Sequence, residues 1–214
     1  MSTRLPGRII VTPGRSRSRG AFARSPRSRR VLALAALIAL GAALLLAGFW
    51  IPVKAELAQR LLNRAWTAAG SEAEPQRPWP WADTWPAARL RLPTHDAPFT
   101  VLAGASGRNL AFGPALMDGS AAPGTAGVSV IAGHRDTHFR ELGKLAIGDR
   151  FEIEMPDGAN LVYEVDEIDV IDAERAMLRL DADESVVVLV TCYPFEAVVA
   201  GGNLRYVVTG YLAP

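Results

Sequence analysis

The stretch that most constrains the fold is Val186-Val187-Val188-Leu189-Val190-Thr191-Cys192-Tyr193-Pro194. Five uncharged, mostly β-branched residues in a row read as a strand buried on both faces. A chain holding such a strand must build a sheet around it. The run stops on Thr191-Cys192, and Pro194, which has no N–H, closes further ladder pairing. Cys192 is the sole cysteine of the chain, so it has no intrachain disulfide partner. A lone thiol at the end of a buried strand is either a small core residue or a placed nucleophile. Two residues bear on the choice: His134 before it and Arg205 after it.

The rest of the chain surrounds this strand with more short strands. Residues 88–92 alternate apolar and polar, residues 99–103 form a second candidate, and 128–132 run into Gly133-His134. Residues 151–155 alternate and lead into Pro156-Asp157-Gly158-Ala159-Asn160, a hairpin turn. Residues 161–170 change phase, since Tyr163 and Val165 have one parity and Ile168 and Val170 the other; a bulge near Asp166-Glu167 reconciles them. Residues 204–211 supply a last strand. The Gly-, Ala- and Pro-rich segment 107–127 reads as loops around a helical turn at Pro114–Met117, and 137–144 as a short helix or turn. Seven or eight strands with few helices make the body mostly β, a barrel or a sandwich.

Before the body the composition changes twice. Residues 1–30 carry nine arginines and no acid, whereas the remainder is net acidic by eight charges. The tail lacks an apolar period and reads as disordered. Residues 31–51 contain no charge, about the length that crosses a hydrocarbon core, with arginines before them and Phe49-Trp50 at the far end. This reads as a retained transmembrane anchor with its basic flank in the cytoplasm and the body exported; a cleaved signal peptide would have a shorter apolar region and a small-residue cleavage site. The same topology accounts for the arginines without nucleic acid. Residues 52–78 then read as an amphipathic helix, with Leu57, Leu61 and Ala65 on one face, followed by a polar linker. The body proper is 79–214. It opens on Trp79-Pro80-Trp81-Ala82-Asp83-Thr84-Trp85-Pro86, either a packed lid or an aromatic wall beside a peptide groove.

In an exported body an unpaired cysteine is unusual, because structural cysteines there normally pair. If the strands of Cys192 and Arg205 are antiparallel, both residues lie at one mouth of the sheet, and His134 also ends a strand. An imidazolium favours the thiolate, and the same imidazole can protonate a departing amine. A guanidinium is always charged and can hold an oxyanion. Together these groups describe acyl transfer through a thioester. The residues alone leave the other readings open: Arg205 as a solvated surface group, His134 as a hydrogen-bonded turn residue, Cys192 as core. His95 and His138 read as surface residues, with His138 the fallback base. No Cys/His spacing suggests zinc, no acidic loop has EF-hand spacing, no phosphate or dinucleotide loop occurs, and a phosphatase-type loop fails because residue 198 is Val. No cofactor or metal is expected.

At these same residues the sequence resembles the sortases, membrane-anchored cysteine transpeptidases. Their Thr-Leu-x-Thr-Cys motif is matched by Val188-Leu189-Val190-Thr191-Cys192, with Val188 in place of the first threonine; their histidine context by Gly133-His134-Arg135; their arginine strand by Asn203-Leu204-Arg205-Tyr206. The Trp-Pro-rich stretch 79–86 and Thr191-Cys192-Tyr193-Pro194-Phe195 are similar to the class GN branch of Gram-negative bacteria. The resemblance implies an eight-stranded β-barrel with short helices behind one N-terminal transmembrane helix. It implies Cys192 as nucleophile, His134 as acid and base, Arg205 on the oxyanion, and Leu189 and Thr191 in substrate binding. The implied substrate is a secreted protein with a C-terminal signal like Leu-Pro-x-Thr-Gly, and the implied acceptor an amine, at the inner membrane facing the periplasm. A hydrolytic thiol peptidase on the same site, or a tethered β-domain that only binds, are the competing readings.

Overall fold

A computed structural model describes residues 26–69, 75–177, 179–197 and 201–214. The basic tail up to residue 25, Gly70 with the first part of the linker, and 198–200 fall outside them. The chain divides into two compact units, Met1–Phe49 and Trp50–Pro214. Helix α1 covers Pro26–Ala69, so the amphipathic helix expected within 52–78 is the end of a longer helix. Among the described residues no helix is long and apolar enough to cross a membrane.

The second unit is a closed eight-stranded barrel in the order β1-β2-β3-β4-β7-β8-β6-β5. Its strands are β1 (Pro86–Arg91), β2 (Phe99–Ala103), β3 (Ala115–Leu116), β4 (Gly127–Ala132), β5 (Arg150–Glu154), β6 (Asn160–Asp172), β7 (Ser185–Cys192) and β8 (Leu204–Leu212). A short helix α2 (Gly107–Leu110) precedes β3 and a 3-10 turn, Arg140–Lys144, follows β4.

The segment 107–127 departs from expectation. The helical turn expected at Pro114–Met117 is instead β3, and the helix lies earlier, where Ser106 accepts from the Asn109 N–H and caps it. Two-residue β3 is held from outside, between parallel β2 and antiparallel β4, so local sequence gives little sign of it. The phase change in β6 is a bulge, since its register against β8 shifts between Val165 and Glu167.

β7 sits between β4, parallel to it, and β8, antiparallel to it. Its odd-numbered residues Val187 and Leu189 enter the barrel core with Leu90, Ile131, Phe139, Phe151, Tyr163 and Val208. Its even-numbered Val186 and Val188 lie on the outer face with Val128, Val130 and Val207, packed against Ile171, Ala182 and Val190. Burial on both faces is why this strand has no alternation in sequence. The Trp-rich stretch packs as a cover: Trp79 stands edge-on to Phe112 at 5.3 Å, and the Thr84 hydroxyl donates to the Ala103 carbonyl. Trp81 projects outward, 82% exposed.

Candidate active site

The register sets Cys192 and Arg205 opposite each other and leaves His134 just past the end of the neighbouring strand pair. Cys192 is the direct partner of Arg205 across β7–β8, so the two side chains share a face of the sheet. By parity it is the outer face, because Cys192 continues the Val186-Val188 set and Arg205 the Val207 position. On the other side of β7, the last ladder pair is Ala132 with Val190, and the Gly133 N–H still donates to the Val190 carbonyl at 3.1 Å. His134 is therefore two residues beyond the last β4–β7 pair. Cys192 is a free, partly exposed thiol and His134 is exposed.

Arg205 reaches the rim with part of its fork engaged. Its Nη1 donates to the carbonyls of Gly202 and Leu204, each at 2.9 Å. These bonds tuck the head against its own loop, in which Gly201 and Gly202 have φ of 107° and 91°, conformations that favour glycine. The loop between Cys192 and Arg205 opens with a cis Tyr193–Pro194 peptide. Tyr193, Phe195 and Tyr206 pack ring to ring, Phe195 on Tyr206 at 5.0 Å, and close the barrel under this rim.

The two residues expected to bind substrate do not present themselves on the outer face. Leu189 is fully buried in the barrel core, and Thr191 is 2% exposed with its hydroxyl donating to the Gly133 carbonyl at 2.7 Å. Odd parity on β7 turns both inward. Thr191 thereby braces the turn that carries His134. In that turn the Phe139 N–H donates to the His134 carbonyl at 2.9 Å. Gly133 is required there: a Cβ would meet the buried Phe139 ring at 2.8 Å.

His138 lies in the same turn and is partly buried. Its ring stands edge-on to Phe99, 6.2 Å away, and the Thr137 hydroxyl is 3.2 Å from its Nδ1. Burial, and then the neighbouring charge of His134, hold His138 below the ordinary histidine value, while Asp136 opposes the shift. His95 is exposed and stacks face to face on Phe99 at 4.5 Å. Among the described residues no three His, Cys, Asp or Glu groups are arranged to hold a metal ion. Sequence reasoning passed over Arg135 as a bare part of a motif, yet it is 8% exposed and bonded across the site.

Comparisons with known proteins converge on this barrel. The chain is 31% identical over 124 residues to Sortase D of Bacillus subtilis, which covers 56% of this chain and 61% of that one, less than two thirds of the relative's length. It is similar in structure to Sortase A from Corynebacterium diphtheriae, with 30% identity, a TM-score of 0.55 and 63% of each chain covered. A Clostridium perfringens Sortase D5 transpeptidase shares the fold, with a TM-score of 0.58 at 22% identity, over 74% of this chain and 99% of that one. The Sortase domain model matches residues 90–213, more than half of the chain, and that match includes Cys192, His134 and Arg205; the chain belongs to the sortase family.

Proposed function

We propose that the protein is a membrane-anchored cysteine transpeptidase that cleaves a C-terminal sorting signal of the Leu-Pro-x-Thr-Gly kind and passes the acyl group to an amine. The observation that carries the reading is the cross-strand pairing of Cys192 with Arg205, beside the end of the β4–β7 ladder where His134 follows. The outer face below them is apolar, with partly exposed Val190 and buried Val207 next along the strands.

The Cys192 thiolate attacks the carbonyl carbon of the scissile bond. The carbonyl oxygen becomes an oxyanion, and the Arg205 fork turns from its loop carbonyls to hold it. The intermediate collapses, the C–N bond breaks, and His134 gives its proton to the departing amine. An acceptor amine then attacks the thioester and loses its proton to His134, and the C–S bond breaks to restore the thiolate. Thiolate addition moves no proton; acylation and deacylation then each move one proton between nitrogen atoms, and neither changes an oxidation state.

The anchor belongs to the same proposal. Residues 31–51 are uncharged in sequence and lie within helix α1, and the arginine-rich flank fits the cytoplasmic side. The body then faces the periplasm of a Gram-negative cell, where the substrate is a secreted protein. The test is a two-substrate assay on the full chain in detergent micelles, with a library of sorting-signal peptides and a primary-amine peptide as acceptor. Ligated product supports the reading. Release of free acid alone, even with saturating amine, would make the protein a thiol peptidase instead.

A further inference from the structure

We infer that Arg135 is a positioning residue: its guanidinium ties the turn carrying His134 to the loop that leaves Cys192, and keeps imidazole and thiol within reach of each other. The inference rests on the reading of Cys192 as nucleophile and His134 as its acid and base.

Strand pairing does not hold this pair by itself. The β4–β7 register ends at Ala132 with Val190, and His134 and Cys192 are each two residues past those partners. Beyond the ladder, contacts between the two loops must do the holding. Thr191 supplies one, through the Gly133 carbonyl. Phe195 supplies another, because its ring lies where a Cβ on Gly143 would meet it at 3.0 Å. Arg135 supplies a third, and it starts at the residue next to the histidine. Its Nη2 donates to the Ala197 carbonyl at 2.9 Å, across 62 residues of sequence.

The burial of this arginine is informative. A side chain 8% exposed at a barrel mouth is usually apolar, because a buried cation must be matched by acceptors to be tolerated. An apolar residue would fill the same space more cheaply, but it could not hold a carbonyl. The planar fork also resists rotation once bonded, which a flexible ammonium does not. Arg135 is adjacent in sequence to His134 and acts on the reaction through it, by way of the Ala197 carbonyl.

The test uses the single cysteine of the chain as reporter, so the mass of the intact protein reads Cys192 alone. Iodoacetamide alkylation of the full chain in detergent micelles is timed with and without His134→Ala, in the native, Arg135→Gln, Arg135→Met and Arg135→Lys backgrounds. In the native background the loss of His134 slows alkylation about tenfold, because the thiolate loses its partner. In the Gln and Met backgrounds the same loss has an effect within about twofold, which is the signature of uncoupled sites. The Lys background, whose ammonium still reaches a carbonyl, recovers part of the native effect. A full native effect of His134→Ala in the Gln or Met background overturns the inference, as does the lack of any effect in the native one. Circular dichroism checks each fold, and collapse of both the Gln and Met variants would make Arg135 a structural residue instead. No sorting signal enters this assay, so failure to find a peptide adduct would count against the proposed function and leave this comparison intact.

Discussion

The two ends of β7 each carry a small polar side chain, and they are treated in opposite ways. At the first end, Ser185 is buried, and its hydroxyl lies 2.8 Å from the Tyr163 hydroxyl. The Gly124 N–H donates to both oxygens, at 2.9 and 3.1 Å, so the network is closed. At the other end, Cys192 is a partly exposed free thiol whose cross-strand partner is Arg205. Ser185 has odd parity and points inward; Cys192 has even parity and points outward. One strand thus anchors the barrel at one end and offers chemistry at the other. Satisfied buried polar groups fix a structure, whereas a reactive group must keep its valence open to a substrate.

The contrast is broken most sharply at the thiol. Cys192→Ala is expected to abolish peptide adduct formation while shifting stability by no more than about 0.5 kcal/mol, since a half-exposed sulfur contributes little packing. Intact mass and a thermal melt check both. Next comes Arg205→Lys, where one ammonium replaces the fork. We expect turnover to fall about 10²- to 10³-fold, the usual loss for an oxyanion donor, with the melt unchanged. Initial rates with a fixed peptide measure it.

Two further substitutions sharpen the contrast by crossing it. Gly133→Ala drives a methyl group into the Phe139 ring at 2.8 Å, and Phe139 is fully buried. A cost of about 1–3 kcal/mol by denaturant titration follows from overpacking, with activity lost as well because His134 is the next residue. Tyr163→Phe opens the network at the other end and should cost about 1 kcal/mol, since Ser185 still accepts from Gly124, while kcat stays native.

The smallest effect concerns acid. His138 in the fold protonates below the ordinary value of 6.5, so on acidification the unfolded chain takes up the proton first. Its contribution to stability is therefore present above 6.5 and is lost as pH falls from there through the lowered folded value. Melts recorded from about pH 5 to 7.5 should show a shallower acid decline in His138→Gln than in the native chain.

Much of this was readable from residues because β7 has no charge to hide its burial and ends on a single cysteine. The β6 bulge was readable too, since parity is conserved along a regular strand and Tyr163 and Ile168 break it. β3 was not, because a two-residue strand owes its conformation to its neighbours. The start of α1 at Pro26 was missed because composition divides the helix into a basic start, an apolar run and an amphipathic end. Leu189 and Thr191 were assigned to substrate binding through their place in a motif. Alternation from the core residue Val187 turns both inward, and an unbroken apolar run does not show in sequence which parity that is. Arg135 was hidden for another reason: its partner is a backbone carbonyl 62 residues away, and backbone partners leave no trace in side-chain identity.

In the proposed reaction the sulfur of Cys192 carries the acyl group. Intact-protein mass spectrometry of the full chain, quenched in acid during turnover of a sorting-signal library, detects that thioester. The expected result is a mass increase equal to the acyl part of one peptide, removed by hydroxylamine and absent in Cys192→Ala. No adduct with any peptide, or an adduct that survives the loss of that cysteine, would contradict it.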